Sequence, residues 1–303
     1  HADSLKVVMT GEGSDEVLLG YDLFREIAIR GFWARNPQSS WRGALFRKLY
    51  AYLPQYRNPR YAAMLLDFYR GTLADPEDPF FGMRVRWRNG QGLDGYMGEA
   101  LLESGEPRED LERWLPQGFA DADHVGRGQA IEVQTLLANY LLSSQGDRMS
   151  MAHSVEGRYP FLDNEFVDFA ARLPRRLKLR GLKDKFILRR SMAGLLPDSI
   201  RQRPKVAYQA PDMAAFVTDG VLHPLVEHLF SPERVVESGL FNPVAVEQLL
   251  AKMRQIRLPR VSLRDNMAFI FILSVLLLEE MFVHGRMSFA PRRLSAETVR
   301  IVS

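Results

Sequence analysis

The chain has 303 residues, of which 46% are hydrophobic and 25% are charged. These ordinary globular values disfavour disordered and membrane proteins, and they allow one large domain or two modest ones. The chain contains no cysteine, which excludes disulfides, thiolate metal sites and a cysteine nucleophile and suits a cytoplasmic location. Its six histidines are scattered, without the spacing of a metal-binding motif.

The net charge of +3 is distributed unevenly along the chain. Residues 172–205 contain twelve basic and two acidic residues, so this basic block carries +10 and the rest of the chain about −7. Such a block is most often a solvated face, and otherwise a site for a polyanion. Nucleic acid is disfavoured as the partner because no nucleic-acid-binding motif accompanies the block.

The first informative stretch is residues 6–21. Its apolar run Val7–Met9 predicts a buried parallel strand, and residues 10–15 predict a turn that leads into a helix. The carboxyl end of a strand beside a helix N-terminus presents unpaired backbone N–H groups, which favour anions. The stretch therefore has the local geometry of a nucleotide site.

The residue types in this turn indicate more than a simple phosphate-binding loop. Gly11 and Gly13 let the backbone approach a ligand closely, and Ser14 and Asp15 are good N-cap residues for the following helix. Glu12 and Asp15 would repel a phosphate unless a divalent cation lay between them, which favours Mg²⁺ with a nucleotide, or a carboxylate acting as a base. The alternative is an ordinary strand–turn–helix in which Ser14 and Asp15 only cap the helix.

Most of the remaining chain is predicted to be helical, and residues 71–89 are predicted to be a long loop with short helical pieces. The last predicted helix contains an apolar run, 267–278, which we interpret as a buried helix too short to span a bilayer. Ser231-Pro232 and Asn242-Pro243 are predicted helix starts. The other predicted helices are 17–31, 38–53, 61–69, 93–103, 109–114, 126–142, 162–173, 211–217 and 222–230, and the last is 264–284.

The second informative stretch places charged residues inside an otherwise apolar segment, residues 147–163. Buried charges are costly unless they pair or hold a ligand. For Glu156 and Asp163 we favour buried structural ion pairs. For Arg148 and Arg158, ion pairing and ligand binding are equal alternatives.

The third stretch contains Lys185 at the predicted start of a helix, followed by the apolar residues 186–188. A lysine near a helix N-terminus is electrostatically unfavourable, so its ammonium would gain most from a bound phosphate. Lys183 is the competing candidate for the same role.

Together these stretches resemble the synthetase domain of glutamine-dependent asparagine synthetases. The resemblance rests on Thr-Gly-Glu-Gly-Ser-Asp-Glu at 10–16, on Asp-Arg and Ser-Met-Ala at 147–152, and on Glu-x-Arg-x-Pro-Phe-Leu-Asp at 156–163. It continues with the lysine at 185 followed by Ile-Leu-Arg, and with Arg-x-Lys-x-x-Tyr-x-x-Pro at 203–211, where Tyr208 replaces the usual Phe. The motifs occur in the family's order and span about two thirds of the chain.

The resemblance implies an α/β fold, an adenine-nucleotide alpha-hydrolase-like doubly wound domain of which residues 1–303 are the mostly helical C-terminal part. Residues 212–303 would be a helical tail of the same domain. The implied reaction converts aspartate and MgATP into β-aspartyl-AMP and pyrophosphate. Ammonia from a glutaminase domain upstream then displaces AMP to give asparagine.

The resemblance also implies roles for individual residues. Glu12 would support formation and capture of the acyl-adenylate, Lys185 would stabilise charge on the phosphates, and Asp15 would bind Mg²⁺. Arg148 and Arg158 are candidates for contacts to substrate or pyrophosphate. The remaining residues of the turn are assigned to ATP: Thr10, Gly11, Gly13 and Ser14.

Two expected parts of this family do not occur in the sequence, namely the first phosphate loop, Ser-Gly-Gly-x-Asp-Ser, and the glutaminase half. We therefore expect the chain to be the C-terminal part of a longer enzyme, which could form a homodimer. In isolation the chain is expected to have little or no synthetase activity.

Two alternatives to asparagine synthesis stay open. β-Lactam synthetases and other amide-forming paralogues share the scaffold, although Glu12 favours asparagine synthesis or amidation of another carboxylate. From a different class, the chain could be an inactive interaction or nucleic-acid-binding module that uses the basic block.

Overall fold

The computed structural model describes residues 5–49, 58–104, 107–205, 212–255 and 261–287. The described chain is mostly helical with few strands. It divides into two compact units, one of residues 1–87 with 106–207 and one of residues 88–105 with 208–303. The division expected at residue 212 remains a prediction.

The described elements follow one another in short pieces. The strands are β1 (Val7–Met9), β2 (Glu156–Arg158), β3 (Val217–Thr218) and β4 (Val221–Leu222). The helices up to residue 152 are α1 (Ser14–Val17), α2 (Asp22–Ala34), α3 (Pro59–Arg70), α4 (Arg84–Gln91), α5 (Glu99–Leu102), α6 (Pro107–Glu112), α7 (His124–Glu132) and α8 (Arg148–Ala152). The later helices are α9 (Asn164–Arg172), α10 (Arg175–Lys178), α11 (Phe186–Ser191), α12 (Asp198–Arg201), α13 (Pro224–Leu229), α14 (Pro232–Ser238), α15 (Pro243–Gln255) and α16 (Leu263–Leu278).

Two other helix types supplement these elements. A π-helical stretch, Val133–Asp147, joins α7 to α8, and a second one, Glu279–Val283, extends α16. Single 3₁₀ turns or short 3₁₀ helices occur at Gly43–Lys48, Phe81–Met83, Asp94–Tyr96, Phe119–Asp121, Pro160–Leu162 and Met213–Ala215.

The predicted strand is present, but its burial was predicted wrongly. β1 pairs in parallel with β2, with Val7 opposite Glu156 and Met9 opposite Arg158. Val7 is 38% exposed and Met9 is 72% exposed. In the described part of the chain β2 is the one strand that pairs with β1, so β1 lacks the two strand neighbours of a buried central strand.

Several helices were predicted correctly, including α3, α9 and the starts of α14 and α15. The predicted helix 17–31 was wrong, because α1 ends at Val17 and α2 continues to Ala34. Leu19 has a left-handed backbone, with φ of 58°, which interrupts the helix. Gly31 lies inside α2, where a Cβ would come within 2.9 Å of the His124 ring, so close packing accounts for this glycine.

Other predicted helices differ from the structure in length or in helix type. The predicted helix 38–53 is reduced to the 3₁₀ stretch Gly43–Lys48, and residues 50–57 lie outside the described residues. The predicted helix 126–142 begins at Asp123, whose side chain caps α7, and continues through the π-helical stretch into α8. Of the predicted helix 211–217, residue 211 lies outside the described residues, and residues 212–217 contain the 3₁₀ turn Met213–Ala215 and the start of β3.

Aromatic packing against α2 stabilises the first unit. Trp33 of α2, Phe46 and Tyr69 are buried in one cluster, and the Phe46 and Tyr69 rings stack with their centroids 3.8 Å apart. A second cluster joins Phe24 and Ile27 of α2 to Val125 of α7 and to Leu179. α2 is therefore held on two sides directly after the glycine-bearing turn.

The second unit packs around α16, whose Phe269 and Ile272 are fully buried in a core with α13, α14 and α15. The continuous helix Leu263–Val283 has 21 residues, which confirms the predicted helix 264–284, whereas the interpretation that it is too short to span a bilayer was wrong. By length and composition alone it could cross a membrane, and a third of it is buried. Its buried face gives it the packing of a core helix.

A buried polar network lies in the first unit. The Tyr69 hydroxyl donates to Glu26 Oε2 at 3.3 Å, and Arg30 Nη1 lies 3.9 Å from Glu26 Oε1. Arg30 also donates to the Thr72 hydroxyl at 3.0 Å and to the Thr72 carbonyl at 2.8 Å. Burial raises the pKa of Glu26 to about 7, although Arg30 and Tyr69 act in the opposite direction.

This raised pKa predicts a pH dependence of stability. Between pH 4.5, the ordinary pKa, and about 7, the folded protein keeps a proton on Glu26 that the unfolded chain releases. This contribution to stability is lost as the pH rises through that window. We expect the unfolding free energy of the wild type, relative to Glu26→Gln, to fall between about pH 5 and 8.

Urea denaturation of both proteins at a series of pH values measures this difference, with near-ultraviolet circular dichroism confirming a native starting state. A difference that is flat, or that rises with pH, would contradict the prediction.

Candidate functional site

The first and second motif stretches lie side by side. Glu156 N donates to the Lys6 carbonyl at 2.8 Å before the ladder, and Thr10 N donates to the Arg158 carbonyl at 3.0 Å after it. The β1–β2 ladder therefore fixes the start of the 10–15 turn against residues 156–158. This adjacency is the parallel pairing expected of strands that end at one edge of an α/β site.

Gly13 sets the conformation of the turn. It is the N-cap of α1, has a left-handed φ of 84°, and its position leaves no room for a Cβ beside Leu162. No side chain caps α1, so the predicted capping by Ser14 and Asp15 is wrong. Both side chains instead bind lysines, as described next.

Ser14 and Asp15 bind two lysines from distant parts of the chain. Lys185 Nζ lies 3.0 Å from Asp15 Oδ1 and donates to Ser14 Oγ at 2.8 Å. Lys205 Nζ donates to Asp15 Oδ2 at 2.9 Å. We call these four residues the Asp15 clamp. With two ammonium groups and one carboxylate, the clamp carries a net positive charge beside the turn and favours an anion.

The side chains of the clamp are partly buried, with exposures of 16% for Asp15, 18% for Lys185 and 24% for Lys205. Ion pairs at this depth are screened by solvent less than surface pairs are. The Lys205 ammonium also lies 5.4 Å from the centroid of the Tyr21 ring. The clamp is therefore an ordered feature that salt screens only in part.

Backbone geometry distinguishes Lys185 from Lys183. Lys185 is the N-cap of α11 and has a left-handed φ of 46°, an uncommon conformation for a residue with a side chain. As predicted, it lies at a helix start, and its ammonium reaches the turn. Lys183 is exposed and does not contact Asp15.

Polar contacts hold α1 behind the turn. The Tyr21 hydroxyl donates to Glu16 Oε1 at 2.6 Å, and burial raises the pKa of both groups. Gln129 Nε2 donates to the Glu16 carbonyl at 2.7 Å and to the Val17 carbonyl at 3.1 Å. These bonds satisfy carbonyls that the short helix cannot pair itself.

The other predicted site residues, Glu12, Arg148 and Arg158, do not join the clamp. Glu12 is partly exposed, and no described residue donates a hydrogen bond to its carboxylate. Arg158 Nε donates to Glu156 Oε1 at 2.8 Å, and Arg148 Nη1 donates to Ser144 Oγ at 3.4 Å. Both arginines are exposed.

The expectation of buried ion pairs for Glu156 and Asp163 was wrong. Glu156 does pair with Arg158, but these side chains are 57% and 61% exposed. Asp163 is the N-cap of α9 and accepts from the backbone N–H groups of Glu165 and Phe166. Their charges therefore remain in water, where their desolvation cost is small.

The metal prediction finds no support in the geometry. Within the described ranges there is no group of three or more His, Cys, Asp or Glu residues that could hold an ion. Both oxygens of Asp15 are bound to ammonium groups, so a divalent cation would have to displace a lysine. The clamp fits an anion better than a cation, and a magnesium ligand role for Asp15 stays a prediction.

Comparison with known proteins decides the family. The sequence model of asparagine synthase matches residues 1–275. The chain belongs to the asparagine synthase family. No solved structure matches the chain.

The relatives of the chain include proteins named amidases and proteins named asparagine synthetases. The amidase chyE of Penicillium rubens is 27% identical over 283 residues, which are 83% of this chain and 39% of that protein. A putative glutamine-hydrolysing asparagine synthetase of Mycobacterium tuberculosis is 31% identical over 212 residues, 68% of this chain and 30% of that protein. Glutamine-hydrolysing asparagine synthetase 1 of Bacillus subtilis is 26% identical over 216 residues, again 68% of this chain and 30% of that protein. The chain thus spans about a third of the length of its relatives.

Lys205 is the residue of the clamp that the sequence-based site prediction missed. It lies in the Arg-x-Lys motif at 203–205 and at the end of the basic block. These signals mark it as one of many cations, whereas its pairing with Asp15 depends on a contact between residues 190 positions apart.

Two glycines near the clamp offer a test of its packing. A Cβ at Gly20 would overlap Asp15 Oδ1 and Lys185 Cε, whereas a Cβ at Gly11 would meet no atom within 4 Å. We expect Gly20→Ala to separate the ion pair and lower the unfolding free energy by about 1–3 kcal/mol. Gly11→Ala is the matched control and should leave the unfolding free energy nearly unchanged. Chemical denaturation measures both, and equal effects would contradict the packing described.

Proposed function

We propose that the chain forms part of the synthetase site of an ATP-dependent amide-forming ligase. In the proposed reaction, a carboxylate oxygen of aspartate attacks the α-phosphorus of ATP, pyrophosphate leaves, and β-aspartyl-AMP forms. Ammonia then attacks the acyl carbon, the bond to AMP breaks, and asparagine results. The observation that carries this proposal is the Asp15 clamp, which gathers cations from two later motifs beside the nucleotide turn.

The proposed ATP contacts come from the turn and the clamp. Thr10, Gly11, Gly13 and Ser14 would border the nucleotide, and the open space at Gly11 leaves room for a ligand beside the backbone. The ammonium groups of Lys185 and Lys205 would turn from Asp15 towards the phosphates. There they would stabilise the negative charge that develops on the departing pyrophosphate.

Glu12 is proposed as the proton acceptor for the second step. Attack by ammonia leaves a positively charged nitrogen that must lose a proton, and a nearby carboxylate can take it. The Glu12 carboxylate is partly exposed and accepts no hydrogen bond from the described residues, so it is available for this role. Arg148 and Arg158 remain proposed contacts to substrate or pyrophosphate.

The proposed source of ammonia rests on the names of the relatives. Relatives are called glutamine-hydrolysing, which supports a glutaminase domain as the ammonia source. Mg²⁺ with the ATP, a cytoplasmic location, a dimeric parent and low activity of the isolated chain are further proposals.

A second candidate is amidation of a different carboxylate. Relatives named amidases cover 83% and 82% of this chain, more than the 68% covered by the relatives named asparagine synthetases. A β-lactam-synthetase-like paralogue would belong to the same group. In either case the adenylation step and the clamp would be unchanged, and the acceptor carboxylate would differ.

Product analysis separates these candidates. The natural polypeptide that contains this chain is supplied with MgATP, ammonia and aspartate, and AMP and pyrophosphate are quantified alongside the amino acids. AMP formed only with aspartate, together with asparagine, supports the main proposal. AMP formed only when another carboxylate from a supplied panel replaces aspartate supports the second candidate, and no AMP with aspartate or with any carboxylate of the panel contradicts adenylation. Glu12→Gln should form AMP without the matching amide, whereas the exposed control Glu165→Gln should behave as wild type.

The lysines of the clamp give a kinetic prediction. We expect Lys185→Gln and Lys205→Gln each to lower kcat by about 10²–10³-fold, because each removes a cation that stabilises transition-state charge. Lys48→Gln removes an exposed charge elsewhere in the first unit and should change kcat little. Steady-state pyrophosphate release measures all three, and unchanged kcat in both clamp variants would contradict the assigned role.

A further inference from the structure

A second basic site lies in the first unit. It is a cavity of about 510 Å³ between α2, α11 and the segment that follows α12. Its lining includes one acidic residue, Asp184, and six basic residues: Arg25, Lys183, Arg189, Arg190, Arg201 and Arg203. A cavity with this balance of charges repels cations and attracts anions.

Three of the six cations are neutralised by carboxylates. Arg189 binds Asp184 at 2.7 Å and also donates to the backbone carbonyls of residues 184, 201 and 203. Arg201 binds Asp198 at 2.6 Å. Arg25 pairs with the carboxylate of residue 22. These contacts give the cavity a fixed wall of arginines.

The other three cations, Lys183, Arg190 and Arg203, have no carboxylate or hydrogen-bond partner for their side chains within the described ranges. The buried Nε of Arg25 likewise has no hydrogen-bond partner there. A buried donor without a partner is costly, and three unneutralised cations around one cavity repel one another. A polyanion in the cavity would reduce the repulsion between the cations and could accept a hydrogen bond from the unpaired donor.

We propose that this cavity binds a small polyanion that carries at least two phosphate groups. The three exposed cations that line the cavity together match the charge of a diphosphate, and arginine is suited to bind phosphate oxygens in pairs. The cations surround a concavity, whereas a nucleic-acid duplex requires them spread along an extended face. The geometry therefore favours a small ligand over the duplex.

The cavity is separate from the Asp15 clamp. None of the four clamp residues lines it, although Lys183 and Lys185 are separated by one residue. The chain thus directs Lys185 to Asp15 and Lys183 to the cavity. The proposal does not depend on adenylation and can fail or succeed independently of it.

Calorimetric titration with inorganic pyrophosphate tests the proposal on four forms of the chain. These are the wild type, a cavity variant, a surface control and a clamp variant. The cavity variant combines Lys183→Gln, Arg190→Gln and Arg203→Gln. The clamp variant combines Lys185→Gln and Lys205→Gln. The surface control combines Arg60→Gln, Arg172→Gln and Arg176→Gln, exposed residues of the same unit outside the cavity, so that it loses the same net charge.

We expect the cavity variant to bind pyrophosphate at least about tenfold more weakly, with the surface control close to wild type and a binding event retained in the clamp variant. Equal loss in the surface control would identify a diffuse basic face and overturn the proposal. Unchanged binding in the cavity variant, or loss in the clamp variant alone, would also overturn it. Inorganic phosphate binding as tightly as pyrophosphate would overturn the requirement for two phosphate groups. Circular dichroism verifies that all four forms are folded.

Discussion

One carboxylate between two ammonium groups organises the first unit. Asp15 binds Lys185 and Lys205, and these residues come from parts of the chain that have no local reason to meet. Removing one partner of a partly buried ion pair leaves the other charges poorly compensated, which costs more than the pair itself contributes. Gly20 packs against this contact with no space for a Cβ, and Ser14 completes it by accepting from Lys185. The side chains of Asp15 and Ser14 thus connect the turn at residues 10–15 to the basic block.

The motifs predicted the local parts of this arrangement. The strand, the turn and the position of Lys185 at a helix start all follow from residues near one another in sequence. The capping role of Ser14 and Asp15 was wrong because Gly13, with its left-handed backbone, serves as the N-cap without a side chain. Lys205 was missed and Met9 was expected to be buried, because partner choice and burial depend on tertiary contacts that propensity and spacing do not encode.

The basic block also resolves into parts that composition could not separate. Arg189 and Arg201 have structural roles, because the guanidinium group of each binds a carboxylate and that of Arg189 also donates to backbone carbonyls. Lys185 and Lys205 belong to the clamp, and Lys183, Arg190 and Arg203 are the unpaired cations of a cavity that Arg189 and Arg201 also line. Membership of the asparagine synthase family gives the clamp a chemical context. A run of like charges in a sequence can therefore divide into arginines that bind carboxylates, lysines that bind Asp15, and unpaired cations that line a cavity.

The contacts of the clamp also bear on how the protein folds. Lys185 and Ser14 are 171 positions apart, and Lys205 and Asp15 are 190 positions apart. Contacts of this separation are slow to form, because the entropy of closing a long loop is lost before the contact compensates for it. The aromatic cluster of Trp33, Phe46 and Tyr69 joins nearer neighbours and can form without these contacts. We therefore expect the clamp to form late in folding, so that a partly folded chain with a native-like aromatic cluster would still lack it.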